Sequence, residues 1–419
     1  MSARFGFEHK IMVLFFLVSQ SSTIQMIRSL QQHLPRNYVR TLSQFSLVNP
    51  TESPSLGPRR INCYRYFAQR AASVRCFASS KLLVCGDGDL SYSALVAPDL
   101  NSKDIHLTAT VLESQSDHQR VYQNSTLNAS CITLHGHSVK FEVDATDLIQ
   151  KFGSDQKFDA IQFNFPHWIG KSNNKYNREL LGKFLSSAEK VVADDGEVRV
   201  ALFEHQSGVT ATTAIEWKGS WLAPELAAEA GLLLKDVSPF MINYSRSSYR
   251  GNDKAFYVGP DPQLLKFVKP SKTVEVMEDY QLCCRHELHV TLPDSSMEKV
   301  LSSEEICKII QDSLPDGIIC NVLLIDVLET KKTGLEAEVA IFMVIYRGTK
   351  EPITRVVADA YRSRTEEVMT EVCTLRQNKL GRTVSKPIPY FTLKHLVSDY
   401  IARTENAYLS DKNYLASRQ

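Results

Sequence analysis

Three short stretches carry side chains whose types and spacing could bind a ligand. The first is Gly86-Asp87-Gly88-Asp89-Leu90-Ser91, directly after the apolar run Lys81–Gly86. Glycines there let the chain turn sharply and let a ligand approach the backbone. A helix that follows would point its N-terminal N–H groups at that ligand. The same glycine pair also suits an ordinary strand-to-helix turn, and Ser91 stands where a G-x-G-x-x-G dinucleotide loop has its third glycine. The second is a pair of acids. Glu113 ends a second apolar run, where α/β folds place a carboxylate on ribose hydroxyls, and Asp144 follows a third, where it could face an adenine amino group. Taken singly, each also reads as a solvated turn acid. The third is Asn164-Phe165-Pro166-His167 at the end of a fourth apolar run. By itself it reads equally as a structural Asn-x-Pro turn with a surface histidine.

These residues need a scaffold that brings strand ends together. Apolar runs at Lys81–Gly86, Ile105–Leu112, Val139–Val143, Phe158–Phe165 and Glu197–Phe203 predict five strands, with Leu232–Val237 and Ala255–Val258 completing the sheet. Between them, Leu180, Leu181, Phe184, Leu185, Ala188, Val191 and Val192 recur at helical spacing over Asn177–Val192, and Trp221–Ala230 is a second helical stretch stopped by Gly231. Strands alternating with helices predict an α/β fold, a parallel sheet covered on both faces. Its strand ends would border one ligand crevice. The pattern weakens into a linker around Pro260–Pro270. A smaller α+β unit follows: strand Glu287–Leu292, helix Ser302–Leu314, strands Cys320–Leu328 and Ala337–Tyr346, and helix Pro352–Val372. That β-α-β-β-α order is most of a ferredoxin-like unit. The domain division is therefore a targeting or unstructured segment at 1–80, the α/β domain at 81–265, the α+β domain at 280–375 and a tail at 376–419.

The glycine loop and Asn164-Phe165-Pro166-His167 together resemble the large-subunit rRNA (uridine-N(3)) methyltransferase-like domain. The similarity continues through Lys171, Asn177-Arg178-Glu179-Leu180-Leu181, Trp217, Trp221 and the segment Tyr249–Phe256. This last segment is similar to a metazoan branch that joins such a domain to a ferredoxin-fold anticodon-binding domain. Leu90 and Tyr92 depart from the usual phenylalanines, and the stretch from His167 to Gly170 is one residue longer than the common pattern. The resemblance implies a Rossmann-like class I methyltransferase sheet, S-adenosyl-L-methionine as cofactor, and RNA as partner. Its implied chemistry is transfer of a methyl group to the imide nitrogen of a uridine in large-subunit rRNA. Gly86, Asp87, Gly88, Asp89, Ser91, Glu113 and Asp144 would hold the cofactor. Asn164 would accept a hydrogen bond from the imide, and His167 is the candidate base, histidine being the side chain that ordinarily exchanges protons near neutral pH. Phe165 or Trp168 would stack on the base beside Pro166, and Lys171 and Lys175 would meet phosphates. Arg178 and Lys183 fit that role and equally the solvated face of a helix. Two other readings compete: an RNA-binding or synthetase-associated protein with a catalytically inactive fold, and a tRNA base methyltransferase. A nucleotide-dependent oxidoreductase is disfavoured by Ser91.

Composition limits the remainder. The 419 residues suit two domains plus tails, and 43% hydrophobic with 23% charged residues is an ordinary globular balance. A net charge of +1 supplies no global attraction to nucleic acid, so RNA contact must come from local patches. Nine cysteines without a C-x-x-C pair suggest neither a zinc site nor a disulfide framework, and no metal is expected. Ile11–Val18 is too short an apolar run for a bilayer span, so no membrane partner is expected. In the first eighty residues Glu8 and Glu52 are the only acids, and arginines recur among serines. That is the composition of a mitochondrial presequence, with Met1 or Met26 as its start. Cytoplasm and nucleolus are the alternative locations.

Overall fold

The computed structural model describes residues 79–170, 173–245, 259, 261–271, 276–292, 301–332, 335–375, 379–380, 391–399 and 402. The residues that carry the targeting expectation, and Lys171, Tyr249–Phe256 and Ala255–Val258, lie outside them. Seven strands form the first sheet: β1 (Ser80–Cys85), β2 (Ile105–Thr110), β3 (Ser138–Lys140), β4 (Phe158–Asn164), β5 (Val192–Leu202), β6 (Leu233–Pro239) and β7 (Gln263–Val268). Their order is β3-β2-β1-β4-β5-β7-β6. Neighbours from β3 to β5 run parallel, and β7 is antiparallel to both β5 and β6. This is the mostly parallel, Rossmann-like sheet that the sequence predicts. The final strand is the exception. Gln263–Val268, which falls in the stretch read as a linker, inserts between β5 and β6 and buries Leu265 and Phe267.

The central strands read as continuous apolar runs because both faces are covered. Leu82, Leu83, Val84 and Cys85 of β1 are all buried, two toward each helical layer. Helices α1 (Ser91–Asn101), α2 (Gln115–Val121), α3 (Ser125–Leu134), α4 (Leu148–Phe152), α5 (Asn174–Val191), α6 (Ala214–Gly219) and α7 (Ala223–Glu229) provide the layers. On α5, Leu181, Phe184, Leu185, Ala188 and Val191 form the apolar stripe facing the sheet. Asn173 caps its start by accepting from the Lys175 N–H at 2.8 Å.

The second sheet is antiparallel. It contains β8 (Leu282–Leu292), β9 (Ile318–Lys332), β10 (Leu335–Gly348), β11 (Lys379–Leu380) and β12 (Thr392–Leu393). Helices α8 (Ser303–Gln311) and α9 (Arg355–Leu375) pack on it, and α8 opens with the capping box Ser302–Glu305. The path β11-β8-β10-β9 is the split β-α-β-β-α-β arrangement of a ferredoxin-like fold. The stretch read as a tail contributes here: β11 and β12 both pair with β8. Ala211, Trp217 and Ala228 join the core beneath the second sheet. Glu225 and Glu229 of α7 both bind Arg355 at the start of α9. Among the described residues no helix is long and apolar enough to cross a membrane, and no group of His, Cys, Asp or Glu is arranged to hold a metal ion.

Candidate active site

The chain runs outward from β1 to β3 and then returns to β4, so the sheet order reverses between β1 and β4. Ligand crevices of α/β sheets lie at that point, beyond the C-terminal strand ends. Register makes it specific. Cys85 is paired with Phe163, which sets Gly86 beside Asn164. A cleft of about 190 Å³ opens there, and both sequence motifs line it. Gly86, Asp87, Gly88, Asp89 and Ser91 form one wall, Glu113 with Val111 and Leu112 a second, and Asn164 to His167 a third.

The acidic loop proves to be a helix cap. Asp87 accepts from the Ser93 N–H at 2.9 Å and from that of Tyr92, and Asp89 accepts from the Ser91 N–H at 3.1 Å. The first three N–H groups of α1 are therefore satisfied by the protein itself. Burial pushes the Asp87 carboxyl up to about 7, against the pull of its Ser93 hydrogen bonds; the nearby Asp89 charge pushes the same way as burial. Gly86 is required by its neighbour and its backbone. Its φ is +57°, and a Cβ would lie 2.6 Å from Cε2 of Phe163. The sequence reading put the ligand in that space; the Phe163 ring occupies it.

Two further side chains hold this loop, and neither belongs to a motif. His118 of α2 is fully buried; its Nε2 lies 2.6 Å from the Gly88 carbonyl and its Nδ1 2.6 Å from the Ser125 hydroxyl. The carbonyl can only accept, so Nε2 carries the hydrogen. Asn128 of α3 donates to the Asp89 carbonyl at 2.8 Å. A lone histidine and a lone asparagine inside helical patterns give no signal beyond that pattern.

On the opposite wall, Phe165 has a left-handed backbone, φ 51°, and its ring is packed 5.7 Å from Phe203 and 5.3 Å from Phe240. It borders the cleft as core and is not a loose stacking platform. His167 donates from Nδ1 to the Trp168 carbonyl at 2.6 Å, which leaves the lone pair on Nε2. Asn164 accepts from Gln162 Nε2 at 2.8 Å, and its amide is buried against the Tyr92 hydroxyl. The Trp168 N–H donates to Asn177 Oδ1 at 2.9 Å, which ties the loop to the first turn of α5.

Four of the expected side chains lie outside the cleft. Asp144 is exposed and accepts from the N–H and hydroxyl of Thr146, so its carboxylate closes its own turn. Trp168 lies outside the lining and stacks on Tyr176, with ring centroids 5.2 Å apart. Arg178 donates to the carbonyls of Lys218 and Ser220, locking α6 to α5, and Lys183 pairs with Glu179 on the solvated face of the same helix. In their place the lining includes Tyr122, Ile169 and Tyr244. Tyr244 sits edge-on to Tyr92, centroids 5.4 Å apart.

Residues 83–251 match the family described as rRNA (uridine-N3-)-methyltransferase BTM5-like, as the two motifs suggest. The chain is 38% identical over 187 residues to the human ferredoxin-fold anticodon-binding domain-containing protein 1, covering 43% of this chain and 30% of that protein. It is 29% identical over 137 residues to an uncharacterised protein of Arabidopsis thaliana, covering 30% of this chain and 65% of that one. The chain thus spans less than a third of the human protein it matches. Among solved structures, TrmN from Thermus thermophilus is similar at 16% identity and a TM-score of 0.30, over 49% of this chain and 47% of that one.

Proposed function

We propose that the domain carrying the first sheet is an S-adenosylmethionine-dependent RNA methyltransferase acting on the N3 nitrogen of a uridine in large-subunit rRNA. The observation that carries this reading is the meeting of the glycine loop, Glu113 and Asn164–His167 in one cleft at the sheet's reversal point. The family match over residues 83–251 supports it.

The residues present fit such a cofactor. A phosphate would need open N–H groups at the start of α1, and Asp87 and Asp89 already accept from them. With those N–H groups already taken, the loop disfavours a pyrophosphate. Glu113, on the second wall, is the acid for ribose hydroxyls. When bound, S-adenosylmethionine would supply an electrophilic methyl group on positive sulfur, with the neutral thioether as the leaving group.

The protein's own part is alignment and proton removal. Asn164 and the Pro166 turn hold the base edge in the cleft. His167 Nε2 takes the imide proton, its ring fixed by the bond from Nδ1 to Trp168. The base must be unstacked to reach the cleft, and the Trp168–Tyr176 pair beside it is a surface on which a flanking base can stack. Lys171 and Lys175 are assigned to phosphates, and the ferredoxin-like domain to structured RNA. The Arg-rich segment 26–80 is assigned a mitochondrial address; a fluorescent fusion of that segment should enter mitochondria, and a diffuse or nucleolar signal would reject the assignment.

The function is tested by calorimetry of the full chain with S-adenosylmethionine, and by mass spectrometry of rRNA and tRNA nucleosides from cells with and without the protein. Cofactor binding and loss of 3-methyluridine from rRNA are expected. Loss confined to tRNA would favour the tRNA methyltransferase, and no cofactor binding would favour the inactive, RNA-binding protein.

A further inference from the structure

We infer that Arg178 is a positioning residue for His167, and that the second domain holds it there through the carboxylate of Glu225, so that the ferredoxin-like domain shapes the substrate wall of the cleft. What the inference says of methyl transfer rests on the reading of the cleft as a base-methylating site.

The chain of contacts starts at the cleft. Both backbone groups of Trp168 are committed: its carbonyl accepts from His167 Nδ1 at 2.6 Å, and its N–H donates to Asn177 Oδ1 at 2.9 Å. The orientation of the His167 ring therefore depends on where Asn177 stands. Asn177 is buried near the start of α5, one residue before Arg178. That end of α5 is fixed by the end of α6, whose last carbonyls have no partner within their own helix. Arg178 Nε donates to the Ser220 carbonyl at 2.9 Å and its Nη2 to that of Lys218 at 2.5 Å, and Asn174 Nδ2 donates to the carbonyl of Gly219 at 2.7 Å. One guanidinium thus bridges two carbonyls, a fixed fork that a lysine does not reproduce.

The far side of this joint belongs to the second domain. Trp217 of α6 is buried in the core beneath the second sheet. Glu225, buried on α7, pairs with Arg355 at the start of α9, whose N–H donates to Glu229 at 2.8 Å. Arg355 also lies over the Phe391 ring, 5.3 Å from its centroid. Burial pushes the Glu225 carboxyl up, and Arg355 and then Arg178 act against it; Glu225 in turn supports the charge of Arg178 against burial. One buried carboxylate therefore answers to a guanidinium from each domain. Loss of Arg355 frees α7 from α9, and loss of Arg178 frees α5 from α6. In either case Asn177 loses part of what fixes it against Trp168.

Hydrogen exchange of the full chain, read by mass spectrometry on the peptide spanning 164–170, follows the Trp168 N–H without any need for catalysis. Arg178→Met should accelerate its exchange about tenfold or more, the size of one lost hydrogen bond from a charged group. Arg178→Lys should accelerate it less, and Arg355→Met, at a half-exposed pair, about two- to fivefold. Exchange in β4 should not change, which shows that each variant is folded; if Arg178→Met does not fold, Arg178→Lys decides. Unchanged exchange of Trp168 in the folded Arg178 variants would overturn the positioning role, and unchanged exchange in Arg355→Met would overturn the share of the second domain. Methyl transfer to RNA is then measured in the same variants. Arg178→Met should lower kcat about tenfold or more with S-adenosylmethionine affinity unchanged, and should add nothing to the loss in His167→Ala, because it acts through that histidine. An additive double variant would overturn the route through His167. A wild-type chain that transfers no methyl group would overturn instead the reading of the cleft, while the exchange result still decides the positioning.

Discussion

Replacing Asp87 with asparagine tests the claim that this acid is held buried rather than displayed to a ligand. The carboxyl is pushed by burial from its usual value near 3.8 up to about 7 in the folded protein. Between about pH 5 and pH 7 the unfolded chain therefore has Asp87 ionised while the folded chain holds it mostly protonated. The folded state binds the extra proton, so this group's contribution to stability is complete below pH 3.8 and is lost as pH rises through 7. Each pH unit of that window is worth about 1.4 kcal/mol, which gives a loss of about 2–3 kcal/mol from pH 5 to pH 7. An asparagine side chain does not titrate, and its amide oxygen can still accept from Ser93, so the Asp87→Asn variant should lack this slope while differing otherwise by a constant offset. Of the three tryptophans, Trp221 packs in the core of the first sheet and Trp217 in the core beneath the second, so urea unfolding followed by tryptophan fluorescence reports on both, Trp221 on the domain that holds Asp87. The wild type should lose about 2–3 kcal/mol more than the variant over that range. Parallel pH profiles would refute the argument. A wild type that gains on the variant as pH rises would show that the first-turn N–H groups of α1 outweigh burial and keep Asp87 ionised.

Three other outcomes are expected. Gly86→Val forces a left-handed backbone on a β-branched residue and drives its Cβ into Phe163, so it should cost about 2–5 kcal/mol in urea unfolding and abolish cofactor binding; wild-type stability with binding lost would mean that the ligand, not Phe163, excludes the side chain. His167→Ala should lower kcat about a hundredfold or more, with partial recovery at alkaline pH where the imide ionises unaided and with cofactor affinity unchanged; an unaltered pH–rate profile would reduce His167 to shaping the turn. His118→Phe removes the donor that holds the Gly88 carbonyl and should weaken S-adenosylmethionine binding about tenfold in calorimetry while leaving kcat at saturation near wild type; a selective fall in kcat would place its effect on the reaction instead.

The parts of this fold that were legible in the sequence are those whose burial is written into consecutive residues. Strands β1, β4 and β5 lie in the sheet's interior and show as apolar runs, and α5 shows as an apolar stripe of 3.6-residue period. β7 is hidden because Gln263–Val268 follows Pro260 and Pro262 and its apolar pairs Leu264–Leu265 and Phe267–Val268 are split by Lys266, although insertion between β5 and β6 buries it. β11 is two residues long and carries no pattern at all; only β8 defines it. The site divides in the same way. Gly86, Asn164 and His167 stand out because residue type and position against strand ends mark them. Gln162, His118, Asn128 and Asn177 do not, since each is one polar residue in an otherwise regular element and acquires its role from a partner 2 to 39 positions away.

Two of the three walls of the cleft are built around a non-glycine residue in left-handed backbone: Leu90 at φ 68° in the acidic loop and Phe165 at φ 51° after β4. Such a conformation costs roughly 1–2 kcal/mol per residue, and glycine would relieve it. Glycine would also remove a side chain that the core uses. Leu90 is fully buried among Ala109, Val111 and Ile132, and Phe165 is 8% exposed between Phe203 and Phe240. Burying a leucine or phenylalanine side chain contributes about 1.5–3 kcal/mol, which offsets the strain at each position. The two chain reversals that form the cleft are therefore held by hydrophobic packing on one face of the sheet, the face that carries Leu82, Val84 and Ala109. Leu90 turns the chain so that Asp87 and Asp89 reach back to the first turn of α1, and Phe165 turns it so that Pro166 and His167 project over Gly86 into the same cleft. Cavities made in either of these two clusters, such as at Ile132 beside Leu90, should therefore loosen the wall that the cluster supports, because the packing that stabilises the fold is also what offsets the strained turn.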